Sequence, residues 1–163
     1  MTRRGLAVLV VTVFAGTFVP AIARAQRTPP PYPELRADAI VARATSVQGG
    51  AGLEIPAGIY VRIGLDGAAG ATWRDGRAAT SGRADAIARF LLDPFREVPV
   101  GVSLGGGVSV PIGAPMGARS PYLALVVDVE GKSRNGVSPA LQIGLGGGAR
   151  IGLVLRRSSR VWR

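Results

Sequence analysis

The sequence predicts an all-β fold, an antiparallel meander that forms a small β-barrel or barrel-like sheet of six to eight strands and is preceded by a signal peptide. Three observations support this prediction. Apolar residues recur at every second position through several long segments, as in strands whose successive side chains face opposite sides. The connections between these segments are short and rich in Gly, Pro and Asn. No long helical segment separates them, as a parallel sheet would require.

The chain begins with a segment, residues 1–25, that is predicted to be a cleavable export signal. Two arginines precede an apolar run, and Ala23 and Ala25 are the small residues that a signal peptidase accepts before its cleavage point. A membrane-spanning anchor is the alternative, since the apolar stretch is nearly long enough to cross a bilayer. The Pro-rich stretch that follows favours cleavage, so we expect the mature chain to begin at Gln26.

The mature chain is predicted to contain a short lead-in and one domain. Residues 26–34 hold four prolines, a composition typical of an extended, polyproline-like spacer. Residues 35–163 are predicted to form a single β-barrel-like domain, and their number is sufficient for one core or one small barrel.

Strand signals differ in strength along this domain. Residues 36–55 could form one bent strand or two, with Gly49-Gly50 as a bulge or bend. Residues 83–92 are predicted as a strand, although their apolar positions also fit helical spacing. The clearest alternation, with one apolar face and one face of Gly, Ala, Ser and isolated charges, covers residues 59–73, 99–110, 122–130 and 140–156.

Turn signals lie between the segments. Asn135-Gly136 is the strongest, because a two-residue hairpin turn needs positive φ at both positions. Asp75-Gly76 and Ser81-Gly82 are predicted to bracket a polar loop, and residues 111–121 to form a Gly/Pro-rich loop. The runs Gly105–Gly107 and Gly146–Gly148 are predicted to be bends inside curved strands. The second run belongs to a formal G-x-G-x-x-A motif, but a strand follows it where dinucleotide binding requires a helix.

The composition argues against an enzyme, a cofactor and a metal. The chain has no Cys and no His, which removes disulfides, a thiol nucleophile, the commonest general base and the commonest transition-metal ligand. The acidic residues are dispersed, whereas a Ca²⁺ site needs them clustered. The net charge is +10, but the basic residues are scattered and lack interleaved aromatics, so nucleic-acid binding is not predicted.

Two hypotheses follow from the composition of the strand faces. In a soluble periplasmic β-sandwich or barrel that binds a small ligand or protein partner, the apolar face would form the core. In a membrane barrel the apolar face meets lipid, and small or charged residues fill a narrow lumen. The face that is not apolar consists mainly of Gly and Ala rather than Lys, Glu, Thr and Gln, which favours the second hypothesis. The charged residues that could then pair in the lumen are Arg62, Asp66, Asp85, Arg89, Asp128 and Arg150.

The positions of the aromatic residues also favour the membrane barrel, since such barrels carry aromatic girdles at both interfaces. In the predicted domain, only Phe90 is placed away from a predicted strand end. The candidate interfacial aromatics are Tyr60, Trp73, Phe95, Tyr122 and Trp162.

The signal peptide, the alternating strands, the Gly-rich faces and the chain end Arg160-Val161-Trp162-Arg163 together resemble the small outer-membrane β-barrel proteins of diderm bacteria. The resemblance covers the mature region and concerns the fold. It implies an outer-membrane location, contact with outer-membrane lipid, and recognition by the export and barrel-assembly machinery. Members of this group usually end on an aromatic residue, whereas Trp162 is penultimate here.

The expected role is non-enzymatic, either structural or in binding a small partner. Closed single-chain barrels have at least eight strands, so a count of six would require a further hairpin or completion of the sheet by another subunit in an oligomer.

Overall fold

The computed structural model describes residues 30–95, 99–113 and 120–157, which form a closed antiparallel barrel of eight strands. Each strand pairs with the next in sequence, and β1 pairs with β8 to close the ring. The prediction of an all-β meander is therefore confirmed. No helix in the described ranges is long and apolar enough to cross a membrane. The strands are β1 Tyr32–Val41, β2 Thr45–Pro56, β3 Val61–Arg74, β4 Arg77–Leu91, β5 Gly101–Ile112, β6 Tyr122–Glu130, β7 Val137–Leu145 and β8 Ala149–Arg157.

The up-and-down order gives the barrel two distinct ends. The terminal end holds the start of β1, the end of β8, the connections 57–60 and 131–136, and the described residues 92–95 and 99–100. The distal end holds the connections 42–44, 75–76 and 146–148 and the described residues 113 and 120–121. The three distal connections that are described completely have only two or three residues, so the strand ends there are held close together.

The first predicted segment is a hairpin. β1 begins at Tyr32, inside the stretch interpreted as a lead-in, because Tyr32 pairs with Glu54 of β2 and its side chain is buried. The pairing of β1 with β2 is regular through Gly49 and Gly50, so the predicted bulge or bend is absent from this ladder. The predicted signal peptide and the start of the lead-in lie outside the described residues.

The polar loop predicted after Trp73 is instead part of a long hairpin. Asp75 and Gly76, with φ of 50° and 74°, complete a two-residue turn by themselves. β4 therefore starts at Arg77, and Ser81 and Gly82 lie within it. The prediction of a loop is wrong because Ser81 and Gly82, which are typical of loops, lie in a strand that has few large side chains. Residues 83–92 were correctly predicted as strand up to Leu91.

The last predicted segment, residues 140–156, is two strands. Gly146, Gly147 and Gly148 have φ of 151°, 69° and 150° and form the turn between β7 and β8. They are not a bend within one strand, because Leu145 and Ala149 pair directly across this turn. Because this turn has three residues, the inward-facing positions are even-numbered in both β7 and β8. The two-residue repeat therefore continues unchanged across the turn and does not reveal it.

The remaining elements agree closely with the sequence. β6 covers the predicted residues, and Asn135 and Gly136, with φ of 52° and 77°, form the predicted turn before β7. β5 extends to Ile112, so the predicted Gly/Pro-rich loop begins two residues later than expected.

Candidate functional site: the ion-paired lumen

The burial pattern of the barrel is the reverse of that in a soluble protein. Along β6, for example, Leu125 is 61% exposed, whereas Asp128 is 1% exposed. The soluble hypothesis required the apolar faces to form the core, and the structure has charged and small residues there instead. A large exposed apolar residue occurs on every strand: Leu35, Leu53, Leu65, Phe90, Leu104, Leu125, Ile143 and Leu153.

The charged side chains that face inward balance one another almost completely. Within the described strands, the acidic members are one more numerous than the basic members. The acidic members are Glu34, Asp38, Glu54, Asp66, Asp85, Asp128 and Glu130, and the basic members are Arg36, Arg62, Arg83, Arg89, Arg150 and Arg156.

Arg89 and Arg156 organise the lumen near the terminal end. Arg89 donates from Nη1 to Glu54 Oε1 at 2.5 Å and from Nε to Asp128 Oδ2 at 2.9 Å. Arg156 donates from Nε to Glu34 Oε2 at 3.1 Å, and its Nη2 lies 3.5 Å from Asp128 Oδ2. Each guanidinium therefore contacts at least one carboxylate on a strand that is not its neighbour in the ring. Arg156 also contacts Glu34 on the neighbouring strand β1.

A half-buried pair lies at the mouth of the same end. Arg62 Nη1 donates to Glu130 Oε2 at 3.2 Å, across the lumen from β3 to β6. The Arg62 guanidinium also lies over the Tyr32 ring, 5.8 Å from its centroid. These contacts cover the buried network from solvent.

Arg36 occupies the middle of the lumen. Its Nε donates to Asp38 Oδ2 at 2.8 Å, and its Nη1 donates to Asp66. Its Nη2 donates to Gln142 Oε1 at 2.5 Å, and the Gln142 amide donates onward to Asp128 Oδ1 at 2.7 Å. The central and terminal-end networks are therefore continuous.

Arg83 and Arg150 continue the network toward the distal end. Arg83 donates to Asp38, and its Nε donates to Asp85 Oδ2 at 3.0 Å. Arg150 Nη1 donates to the same Asp85 oxygen at 2.9 Å. Ser109 Oγ donates to Asp85 Oδ1 at 2.6 Å, so both oxygens of this carboxylate have partners.

Uncharged hydroxyl and amide groups complete the distal part of the lumen. The Gln48 amide donates to Ser81 Oγ at 3.1 Å, and Thr72 Oγ1 donates to the same oxygen at 2.6 Å. Ser46 Oγ and Thr72 Oγ1 are 2.7 Å apart. Arg83 Nη1 donates to Gln48 Oε1, so the chain of polar contacts extends from one end of the barrel to the other.

Inward-facing glycines make room for these charged groups. A Cβ added at Gly64 would overlap Arg89 Nη1, and one added at Gly152 would overlap Asp38 Oδ1. A Cβ at Gly52 would overlap Asp66 Oδ1. The Gly content of the inward faces is thus explained by the space that long arginine side chains and their carboxylates need in a narrow barrel.

All six charged residues proposed for the lumen from the sequence face inward. Three ion pairs form among them: Asp85 with Arg150, Arg89 with Asp128, and Arg89 with Asp66, the last at 3.7 Å from Nη2 to Oδ2. Arg62 pairs with Glu130 instead.

Seven charged members of the network were not predicted from the sequence. Glu34, Arg36 and Asp38 alternate with apolar residues in β1, but Glu34 falls in the predicted lead-in, and residues 36–55 carry a weaker strand signal that fits one strand or two. The other missed members are Glu54, Arg83, Glu130 and Arg156, each at the end of a predicted segment or in one with weaker alternation.

The aromatic residues form groups at both ends of the barrel. Tyr60 and Phe95 lie in terminal-end connections, while Trp73 and Tyr122 lie at distal strand ends. Phe90 was placed away from strand ends by the sequence, but it is next to the last residue of β4. Its ring stacks on Tyr60 with centroids 5.7 Å apart. The fifth candidate, Trp162, lies outside the described residues.

Comparison with known proteins concerns the fold alone. No protein-family model and no curated protein sequence matches the chain. Among solved structures, it matches one described as "De novo design of transmembrane beta-barrels", with a TM-score of 0.54 and 9% sequence identity. The match covers 82% of this chain and 99% of the designed one. The chain shares its fold with a transmembrane β-barrel.

The closed eight-strand barrel gives the lumen its chemical character. Every carboxylate of the network lies against at least one guanidinium, so these carboxylates are ion-pair acceptors rather than free bases. Because several hydrogen bonds and ion pairs hold each guanidinium group in place, the arrangement is suited to filling a closed barrel and making it rigid.

Proposed function

We propose that this chain is a non-enzymatic outer-membrane β-barrel whose interior is filled by an ion-pair network and whose role in the cell envelope is structural. The observation that carries the proposal is the inverted burial pattern, with charged side chains inside and large apolar side chains outside. The aromatic groups at both ends and the fold of the designed transmembrane barrel support it further.

The outer surface supports a lipid environment. Soluble monomers rarely expose a continuous apolar patch larger than a few hundred Å². Here the exposed apolar residues encircle the barrel, because every one of the eight strands contributes them. The strands have 9 to 15 residues, and about 9–11 residues suffice for a tilted strand to cross a bilayer.

The interior supports a structural role rather than diffusion or catalysis. Arg89, Gln142 and Glu54 are at most 1% exposed, so side chains fill the lumen at their levels. The carboxylates and the Ser109 hydroxyl are engaged in hydrogen bonds, and the chain has no His or Cys that could act as a base or nucleophile. The proposed partners are outer-membrane lipid and the export and barrel-assembly machinery, with no role for nucleic acid. The chain closes its own ring, so a second subunit is not needed to complete the sheet.

Fractionation of a diderm host that expresses the full chain tests the proposal. We expect the protein in the outer-membrane fraction, resistant to extraction by high salt and released by detergent. We also expect faster gel migration of the unheated protein than of the boiled protein, because a folded barrel is more compact. Recovery of the folded protein from the soluble periplasm without detergent would contradict the proposal.

A further inference from the structure

The surplus carboxylate of the ion-pair network belongs to one part of the lumen. At the terminal mouth, Arg62 and Glu130 balance each other. Toward the distal end, two guanidinium groups balance two carboxylates: Arg83 and Arg150 with Asp38 and Asp85. Between them lies a middle set, in which three guanidinium groups contact four carboxylates: Arg36, Arg89 and Arg156 with Glu34, Glu54, Asp66 and Asp128. When all four carboxylates are ionised, the middle set carries one unmatched negative charge.

Two carboxyl groups of the middle set, those of Glu34 and Asp66, meet over Gly52. Gly52 of β2 pairs with Glu34 of β1 on one side and with Asp66 of β3 on the other, so the three residues form one row across the barrel wall. A Cβ at Gly52 would overlap Asp66 Oδ1, so this oxygen occupies the space over the glycine. The side chains of Glu34 and Asp66 are in hydrogen-bond contact with each other. Two ionised carboxylates offer only acceptors, so this contact needs a proton on one of them.

The oxygen that would carry this proton is Asp66 Oδ1. Both oxygens of Glu34 have guanidinium partners, since Oε1 lies 3.4 Å from Arg36 Nη1 and Oε2 accepts from Arg156 Nε at 3.1 Å. Asp66 Oδ2 accepts from Arg36, but no donor among the described residues contacts Asp66 Oδ1, which is buried. A buried, ionised oxygen without a donor is costly. A hydroxyl at Oδ1 removes this cost, because it donates to Glu34.

The other groups around the pair do not supply the missing positive charge. The guanidinium groups that face it are Arg36 of β1, Arg89 of β4 and Arg156 of β8. Each of them is shared with a further carboxylate, from Asp38 of β1, Glu54 of β2 or Asp128 of β6. Arg62 and Tyr32 lie closer to the terminal mouth, where Arg62 is paired with Glu130. The described inward-facing residues of β5 and β7 are uncharged.

We propose that Glu34 and Asp66 form a proton-binding site, in which a hydroxyl at Asp66 Oδ1 donates to Glu34 and the pair carries one negative charge instead of two. The middle set is then electrically neutral. Two carboxyl groups that share a buried site titrate as a unit and hold one proton between them. Loss of this proton to water at alkaline pH leaves an unmatched buried charge, which weakens the barrel. This inference goes beyond the proposed structural role and does not depend on the membrane location.

Carbon-13 NMR of the carboxyl groups tests the site directly. The full chain, labelled at the Asp and Glu carboxyl carbons and folded in uncharged micelles, is titrated from about pH 5 to about pH 9. Ordinary carboxyl groups are ionised throughout this range, and the chain has no His or Cys that could titrate within it. We expect the Asp66 signal, identified by its absence from D66N, to move as one proton leaves. The Glu34 signal, absent from E34Q, should move over the same range.

Urea unfolding of D66N and E34Q over the same pH range tests the energetic consequence. The wild-type unfolding constant should rise with pH, by up to about tenfold per pH unit, because the folded protein holds one proton more than the unfolded chain. Each variant replaces a carboxyl group of the pair by an amide that donates permanently to the other, so both should lose this rise. At about pH 9, neither should unfold more readily than the wild type. The control D75N changes an exposed carboxylate and should keep the rise.

Two results would overturn the inference. In the first, both the Glu34 and the Asp66 signals are already those of ionised carboxylates at about pH 5, so the guanidinium groups suffice for both. In the second, D66N and E34Q retain the rise in unfolding with pH, so another group holds the proton. If one variant fails to fold, the other serves, because the same result is expected of both. Neither result bears on the fractionation experiment, so failure of this site is distinct from failure of the proposed function.

Discussion

Arg150 of β8 and Asp85 of β4 form a 2.9 Å ion pair although their strands lie on opposite sides of the eight-strand ring. One side chain from each wall is therefore enough to cross the lumen. The contact is extended by Asp38 of β1, whose Oδ1 lies 3.5 Å from Arg150 Nε. Because the barrel is this narrow, side chains fill its interior, and each buried charge needs an oppositely charged partner there.

The Asp85–Arg150 pair should contribute strongly to stability. We expect D85N to lower the free energy of unfolding by about 3–5 kcal/mol, because it leaves two buried guanidinium groups without this carboxylate. R150M should cost less, since Asp85 keeps Arg83 and Ser109 as partners. Urea unfolding of both single variants and the double variant in uncharged micelles should give a coupling energy of about 0.5–3 kcal/mol.

The exposed Asp75–Arg74 pair is the control for this measurement. Its side chains are 89% and 43% exposed, so D75N should change the free energy of unfolding by no more than about 1 kcal/mol. Equal effects of D75N and D85N would show that the lumenal ion pairs do not hold the barrel together.

Charge on the outer face should carry a cost that depends on depth. Leu125 lies near the middle of β6, and L125R should cost about 2–4 kcal/mol in vesicles, because the charge would lie near the bilayer midplane. Ile112 is the last residue of β5 at the distal end, so I112R should cost about 0–1 kcal/mol. Urea titration of both folded variants checks the difference, and equal costs would argue against a lipid-facing surface.

Two neighbouring glycines of β5 should respond differently to alanine. A Cβ at Gly107 would overlap the backbone oxygen of Ala86 and lie 2.7 Å from Ile87 Cα, whereas at Gly106 the nearest atom is 3.5 Å away, on Leu125. We expect G107A to cost about 1–3 kcal/mol because the backbone of β4 would have to move. G106A should be neutral within about 0.5 kcal/mol. A neutral G107A in the same urea titration would mean that β4 and β5 approach less closely than the structure indicates.

The filled lumen predicts that the protein does not conduct ions. Planar bilayers containing the reconstituted wild-type barrel should stay at the baseline current, because Arg36, Arg83 and Arg89 are each held across the interior by carboxylates. A known open porin inserted in the same bilayer provides the positive control. Stable single-channel steps from the purified protein would show that the ion-pair network opens.

Much of this architecture follows from side-chain alternation, because a strand with one buried and one exposed face repeats every two residues. β6 was predicted to the residue, and Asn135-Gly136 identified its turn to β7. Alternation alone does not reveal a turn after which the inward-facing positions keep the same odd or even numbering. The glycines 146–148 therefore read as a bend within one predicted segment, and alternation does not decide between one bent strand and two over residues 36–55.

The composition of the lumen was predicted better than its contacts. Asp66, Arg89 and Asp128 could be assigned to the inner face from their parity. Their partners depend on which strands lie opposite each other, and this depends on the number of strands and on closure. The link from Arg36 to Gln142 connects residues 106 apart in sequence, and no local pattern encodes it.

Transfer of nuclear magnetisation between lipid and protein methyl groups tests the inverted barrel most directly. For the wild-type protein in lipid nanodiscs, we predict nuclear Overhauser effects from acyl-chain methylenes to the methyl groups of Leu125 and Val127, which are 61% and 40% exposed. Val126 and Val154, which are 3% and 1% exposed, should show none. Acyl-chain contacts to Val126 and Val154, with water contacts at Leu125 and Val127, would contradict the account.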